Sequence, residues 1–181
     1  MVNIMGEKTV FRFVYGGFGL KKWKEIVQKV LDVASKAGFK FQTFKITSYY
    51  PHSHDIEGEW KDETQLFKIL EKEAKRCLKA KKDMFLDIYG DFSGYFTELD
   101  FLLDPHIAKD FAFFVESADP KLVKASVEDK LKLNKLLKDF SNALGTRISE
   151  WGNEAPYGTK VKICRYGFMI DKKGRRAKKK R

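Results

Sequence analysis

The sequence predicts an α+β fold, with a single domain over residues 1–170 and a disordered basic tail over residues 171–181. Several segments have the aromatic, β-branched or alternating composition of strands, and others carry apolar residues at helical spacing. The last eleven residues hold eight Lys/Arg, one acid and no apolar residue beyond Ala177, so they bury too little surface to become ordered. We expect a mixed sheet of about six strands with about three amphipathic helices.

The first elements are predicted as a strand, a helix and a second strand. Residues 9–15 have strand composition, and six apolar residues at helical spacing follow before a stop at Gly38. Residues 39–50 form the second strand, and a slip in their alternation near residues 42–44 indicates a bulge. Because a strand–helix–strand unit makes a right-handed crossover, we expect the two strands to be a parallel pair.

The later elements alternate between strands and helices. Residues 51–61 are predicted as a polar loop, and Asp62 as the N-cap of a second helix. The last helix is predicted to start at Asp119-Pro120 and to stop at Gly145. Four more segments have strand composition: residues 84–92, 95–103, 111–117 and 159–169.

The positive charge of the chain is concentrated at its end. The chain carries 36 Lys/Arg and 25 Asp/Glu, a net charge of +11 at pH 7, and residues 171–181 alone contribute +7. Such a segment attracts phosphate backbones or acidic partners and does little to stabilise a fold. The residues that we assign to nucleic-acid binding are Lys172, Lys173, Arg175, Arg176, Lys178, Lys179, Lys180 and Arg181.

Cysteine content and hydropathy exclude several classes of protein. Cys77 and Cys164 lie far apart with no CxxC spacing, so neither a zinc site nor a disulfide framework is indicated, and we expect both to be buried. No apolar run approaches the ~18 residues of a membrane span, and the N-terminus lacks signal-peptide features. We therefore expect a cytoplasmic protein without a membrane partner. The 29 lysines against only seven Asn and Gln are typical of hyperthermophile proteins.

Four carboxylates are predicted to share one face of a β-hairpin. If Ser93 and Gly94 are the two central turn residues, each cross-strand pair sums to 187. Leu86, Ile88, Leu99 and Phe101 then form a core face. The opposite face is predicted to carry Asp87, Asp91, Glu98 and Asp100, beside Phe85, Tyr89 and Phe96. Either this is a solvated outer face with lysines nearby, or the oxygens bind Mg²⁺ or Mn²⁺.

Two of the three histidines fall in the predicted loop. A tight turn at His52 and His54 could bring them together with Asp55 or Glu57 on a transition metal. The segment begins like an HxHxDH metallohydrolase motif, but Ile56 stands where that motif has a histidine. We therefore favour a solvated loop.

A glycine-rich turn precedes the first helix. Gly17 and Gly19 would let backbone N–H groups approach an anion, and Lys21 and Lys22 follow in the first turn, where the helix dipole disfavours cations. A bound phosphate would resolve that conflict. The segment completes neither a GxGxxG nor a Walker pattern, so an ordinary tight turn is the preferred interpretation.

These features favour a small basic nucleic-acid-binding protein that holds the phosphate backbone of DNA or RNA through its tail and one folded surface. Two alternatives stay open. One is a divalent-metal-dependent phosphoester hydrolase that uses the hairpin carboxylates. The other is a non-catalytic protein-interaction or assembly protein whose tail docks an acidic protein partner. The sequence does not decide whether the protein is an enzyme.

Overall fold

The fold is α+β, as predicted. A computed structural model describes residues 7–15, 20–48, 52–103, 109–117, 125–153, 163–164 and 167–168. Three helices are described: α1 (Leu20–Lys36), α2 (Glu63–Ala80) and α3 (Val127–Leu144). Nine strands are described: β1 (Glu7–Tyr15), β2 (Lys40–Ser48), β3 (His54–Glu59), β4 (Met84–Phe92), β5 (Tyr95–Leu103), β6 (Lys109–Ser117), β7 (Ile148–Asn153), β8 (Ile163–Cys164) and β9 (Gly167–Phe168).

Seven strands form one antiparallel sheet in the order β3-β2-β4-β5-β6-β1-β7, and β8 pairs with β9 in a short ribbon. Each described pairing is antiparallel, so the predicted mixed sheet and parallel pair are wrong. β1 and β2 lie in the same sheet but β4, β5 and β6 separate them. The crossover through α1 thus spans the meander of β4, β5 and β6, whose strands take the positions between.

Side-chain caps and left-handed residues set the helix ends. The Gln65 backbone N–H donates to Asp62 Oδ1 at 2.8 Å, which confirms the predicted N-cap of α2. At the start of α3, Ser126 accepts from the Asp129 backbone N–H at 3.1 Å, so the helix begins later than predicted. Gly145 ends α3 at a φ of +65°, as predicted. The proposed start at Asp119-Pro120 lies outside the described residues.

Three sequence predictions of strands need correction. The segment predicted as a polar loop contains β3, an edge strand paired with β2. Its alternation is weak because only Ile56 is apolar, and main-chain pairing supplies the order that composition does not. The last predicted strand, residues 159–169, contains the two short strands β8 and β9 among its described residues. β7 was not predicted at all.

The described strands carry apolar residues on the face that meets the helices. One register row runs Ile56, Ile46, Leu86, Phe101, Phe111, Phe13, Ile148 across all seven strands. Ile46, Leu86 and Phe101 are fully buried and belong to the same core cluster as residues of α1, α2 and α3. In α3, Phe140 packs edge-on against Phe13, with ring centroids 6.0 Å apart. We call this side of the sheet the inner face.

The bulge predicted in β2 is confirmed. The register with β4 shifts between Phe41 and Thr43. Gly90 faces this bulge, and a Cβ there would collide with the Lys40 carbonyl oxygen and the Phe39 ring. Glycine therefore permits the close approach of β2 and β4 at this point.

Candidate functional site

The hairpin register is confirmed. Asp87 pairs with Asp100, Tyr89 with Glu98 and Asp91 with Phe96. Ser93 and Gly94 occupy the turn with φ values of +55° and +83°, the positive pair that a two-residue turn matching the twist of the sheet requires. The alternation therefore places the four predicted carboxylates on the face of β4 and β5 that points away from the helices.

The alternation of side chains continues from β4 and β5 into β2 and β3, so the same face extends over all four strands. We call it the outer face and define it by the side chains of β2 to β5 that alternate with the inner row. It holds seven carboxylates and two lysines, a charge balance of −5: Asp55, Glu57, Glu59, Asp87, Asp91, Glu98 and Asp100 against Lys40 and Lys45. The chain as a whole carries +11, so this surface has the opposite sign to the protein.

Lys45 lies within a row of carboxylates. The row runs Glu57, Lys45, Asp87, Asp100 across four strands. The Nζ atom of Lys45 lies 2.7 Å from Asp55 Oδ2 and 3.4 Å from Glu57 Oε1. The hydrogen bond to Asp55 raises the pKa of Lys45, and the same bond lowers the pKa of Asp55. Lys45 thus offsets part of the repulsion between the two β3 carboxylates beside it.

The outer face is less exposed than the sequence predicts. Asp87, Asp91 and Asp100 are half-buried, and Glu98 is only 8% exposed. The Tyr89 ring stacks on Phe96 with centroids 6.0 Å apart. Burial raises the pKa of Tyr89, and the negative charges of nearby carboxylates raise it further. Those carboxylates are Asp87, Glu98, Asp100 and Glu57.

A cleft of about 550 Å³ opens on this face. Its lining combines the outer-face side chains of three strands with backbone at the β2–β3 pair: Thr43, Phe44, Lys45, Glu57, Gly58, Glu59 and Tyr89. Gly58 stands opposite Phe44, and a Cβ there would meet the Phe44 ring at 2.9 Å. The outer-face lining of the cleft includes the Tyr89 ring, two glutamates and a lysine that is already bonded to two carboxylates.

The four predicted metal ligands lie on the same face of β4 and β5. Among the residues that the structure describes, no three His, Cys, Asp or Glu side chains are arranged to hold an ion. The hairpin places Asp87 and Asp100 opposite each other, whereas Asp91 lies near the turn, opposite Phe96. The assignment of these four carboxylates as metal ligands therefore stays a prediction.

His54 and Asp55 lie on opposite faces of β3. His54 lies on the inner face, where its Nε2 is 3.4 Å from Glu73 Oε2 and its Nδ1 is 3.1 Å from the His52 carbonyl oxygen. The neighbouring Asp55 lies on the outer face with Lys45. Strand alternation separates the two side chains, and the segment predicted as a solvated loop is part of β3 from His54 onward.

The buried carboxylate of Glu73 was not predicted from the sequence. This side chain is 5% exposed and accepts two hydrogen bonds from Arg76, at 3.0 and 3.3 Å. Its place among Leu70, Ala74 and Cys77 on the buried stripe of α2 was the available signal. Cys77 is fully buried, as predicted, with its Sγ 3.1 Å from Ser48 Oγ.

The helices carry the opposite charge to the outer face. Together they hold fourteen Lys/Arg and eight Asp/Glu, a balance of +6. Two adjoining grooves of about 320 and 240 Å³ lie between the C-terminal end of α1 and α3. Lys36 and Lys135 line both grooves, and Lys132 lines one. We call this surface the α1–α3 groove.

The predicted anion site lies only partly within the described residues. Gly17 and Gly19 lie outside the described residues. Lys22 pairs with Glu25 at 3.6 Å, one turn along α1. Lys21 lines a third pocket, which also contains Glu25 and Glu71. Neighbouring carboxylates therefore balance part of the positive charge at the start of α1.

The basic tail, residues 171–181, also lies outside the described residues, so its assignment stays a prediction. None of the described helices has both the length and the apolar character that a bilayer crossing requires. No protein-family model matches this chain, and no curated protein matches it.

Proposed function

We propose that this protein binds nucleic acid through the phosphate backbone, using its basic tail together with the α1–α3 groove. The observation that carries the proposal is the separation of charge. Positive charge collects on the helices and in the tail, whereas the outer face of the sheet is negative. A polyanion is attracted to the first two surfaces and repelled by the third.

The α1–α3 groove supplies the folded part of the interface. Lys36 is exposed at the last turn of α1 and belongs to no ion pair among the described residues. Lys132 and Lys135 project from α3 toward the same grooves, and each pairs with a carboxylate four residues away, Glu128 and Asp139. Such exposed pairs contribute little stability, so a phosphate can replace the carboxylate at small cost. Contacts of this kind fix the position of a nucleic acid without reading its sequence.

The tail supplies most of the charge. Eight cations in eleven residues allow several phosphates to be neutralised at once. Each phosphate neutralised on duplex DNA releases condensed counterions, so the logarithm of the association constant falls by about 0.9 per phosphate for each decade of salt. Binding should therefore be strong at low salt, weak at high salt and tolerant of sequence.

A salt titration tests the proposal. Binding of the full-length protein to fluorescently labelled duplex and single-stranded oligonucleotides is measured by anisotropy across a range of salt concentrations. We expect a steep negative slope, and a shallower slope with residual binding for the protein lacking residues 171–181. Absence of binding to every nucleic acid at low salt would refute the proposal. Equal binding by the isolated tail peptide would remove the folded domain from the interface.

The metal-dependent hydrolase stays a prediction with one supporting observation, the confirmed hairpin register. A calorimetric titration with Mg²⁺ or Mn²⁺ separates it from the proposed function. Saturable binding that is lost in Asp87→Asn and Asp100→Asn would favour the hydrolase, because nucleic-acid binding through phosphates needs no metal at these residues.

A further inference from the structure

The β2–β5 part of the outer face carries more acidic than basic side chains. The β2–β5 part of the sheet presents seven carboxylates and two lysines. Lys45 is already bonded to Asp55 and Glu57. A positively charged partner would lower the electrostatic free energy of this surface, and the surface would repel a polyanion.

The cleft on this face has the lining that a Lys/Arg segment needs. Glu57 and Glu59 provide carboxylates at one wall, and Tyr89 provides an aromatic ring at the other. Phe96 stacks on Tyr89 and is 42% exposed, so a guanidinium has an aromatic surface beside the acids. Burial raises the pKa of Tyr89, and the negative charges of Asp87, Glu98, Asp100 and Glu57 raise it further.

The chain itself carries the complementary segment. We infer that the tail, residues 171–181, docks intramolecularly on the outer face when no polyanion is bound, with its cations on the carboxylates around the cleft. The tail holds +7 and the outer face −5, whereas the helices hold +6 and repel it. Tethering raises the effective concentration of such a segment to the millimolar range, which suits contacts that are individually weak.

The tail is long enough for this contact. The ribbon strand β9 contacts α3 on the helix side and ends at Phe168, three residues before the tail begins. Eleven residues extend to roughly 36 Å, and neighbouring strands are about 4.8 Å apart. Fully extended, the tail spans about seven strand spacings, which is comparable to the width of the seven-stranded sheet. Docking there occupies the cations that nucleic acid needs, so the docked tail acts as an internal competitor.

Zero-length cross-linking of the full-length protein tests this inference. A carbodiimide joins amines only to carboxylates that touch them, and chymotryptic peptides then identify the linked residues by mass spectrometry. At low salt we expect the tail lysines to be joined to Glu57, Glu59 or Asp87. Links only to helix carboxylates, or no links from the tail, would overturn the inference. The experiment is repeated on an equal mixture of isotopically light and heavy protein. Links that join a light peptide to a heavy one form only between two molecules, so their presence would overturn the intramolecular arrangement.

Matched charge variants provide the control. The triple variant Glu57→Gln, Glu59→Gln, Asp87→Asn should lower the yield of tail links to the remaining outer-face carboxylates by about tenfold, as the removal of several exposed charge pairs implies. The triple variant Glu25→Gln, Asp32→Asn, Glu128→Gln removes the same charge from the helices and should leave the yield within about twofold. Circular dichroism confirms that both variants are folded. Equal yields in the two variants would contradict docking on the outer face.

The inference and the proposed function fail separately. If tail links are absent but nucleic acid still binds with a steep salt slope, docking is wrong and the proposed function stands. If the links form but no nucleic acid binds, the tail has the acidic face as its target and the proposed function is wrong.

Discussion

Two neighbouring rows of the same sheet differ in burial and in charge. The inner row contains Ile46, Leu86 and Phe101, which are fully buried against the helices. The outer row, one residue along each strand, contains Lys45, Asp87 and Asp100. Strand alternation is enough to produce this difference. The inner row stabilises the fold, whereas the outer row gives this part of the exposed side a negative charge.

The largest expected effect belongs to the inner face. Leu99→Ala removes a fully buried side chain from β5 and should lower the free energy of unfolding by roughly 2–5 kcal/mol. The neighbouring outer-face change Asp100→Asn keeps the shape of the side chain and should alter it by no more than about 1 kcal/mol. Urea unfolding measures both. Equal sensitivities would mean that the two rows do not differ in the way that burial indicates.

The hairpin shows what the sequence could predict. Both strands alternate clearly around Ser93-Gly94, and a two-residue turn with two positive φ values permits only one register. The pairing of Asp87 with Asp100 follows from local information alone. The N-cap at Asp62 and the stop at Gly145 were predictable for the same reason, because each depends on a single residue type at a chain reversal or helix end.

The sequence predictions were wrong where pairing between distant parts of the chain determines the structure. The predicted parallel pairing of β1 and β2 failed because nothing in either strand indicates that β4, β5 and β6 insert between them. The edge strand β3 was missed because only one of its residues is apolar, so its order depends on hydrogen bonds to β2. The acidic residues of β3 belong to the outer face. Because β3 was not predicted, the full extent of that negative surface was not predicted either. The α1–α3 groove depends on tertiary packing and had no local signal.

A smaller effect tests the environment of Tyr89 on the outer face. The ordinary pKa of a tyrosine is 10.0, and burial together with nearby carboxylates raises the pKa of Tyr89 in the folded protein. The neutral phenol therefore contributes stability that is complete below the unfolded pKa and is lost as pH rises from there toward the folded pKa. Tyr89→Phe should reduce the alkaline fall in unfolding free energy, with up to about one proton fewer released on unfolding. Urea unfolding at several alkaline pH values measures this, and an unchanged pH dependence would contradict the raised pKa of Tyr89.

The smallest expected effect concerns the tail and fold stability. Deletion of residues 171–181 removes no apolar side chain larger than Ala177. In high salt, with a Debye length of about 3 Å, the melting temperature should therefore not change. At low salt, where the tail can reach the outer face, deletion should cost no more than about 1 kcal/mol. A drop of several degrees in high salt would show that the tail packs against the domain through interactions other than charge.

The most direct test of the central claim compares two sets of lysines on the helix layer for their part in nucleic-acid binding. Lys36→Gln, Lys132→Gln, Lys135→Gln removes three charges from the α1–α3 groove, and Lys68→Gln, Lys72→Gln, Lys79→Gln removes three exposed charges from α2. Because net charge changes equally, only location differs. We predict that the groove variant binds duplex DNA more weakly, with a salt slope shallower by about 0.9 for each phosphate that it no longer neutralises, and that the α2 variant stays near the wild-type slope. Equal slopes in the two variants, or a wild-type slope in the groove variant, would contradict the claim that the folded domain directs nucleic acid to the α1–α3 groove.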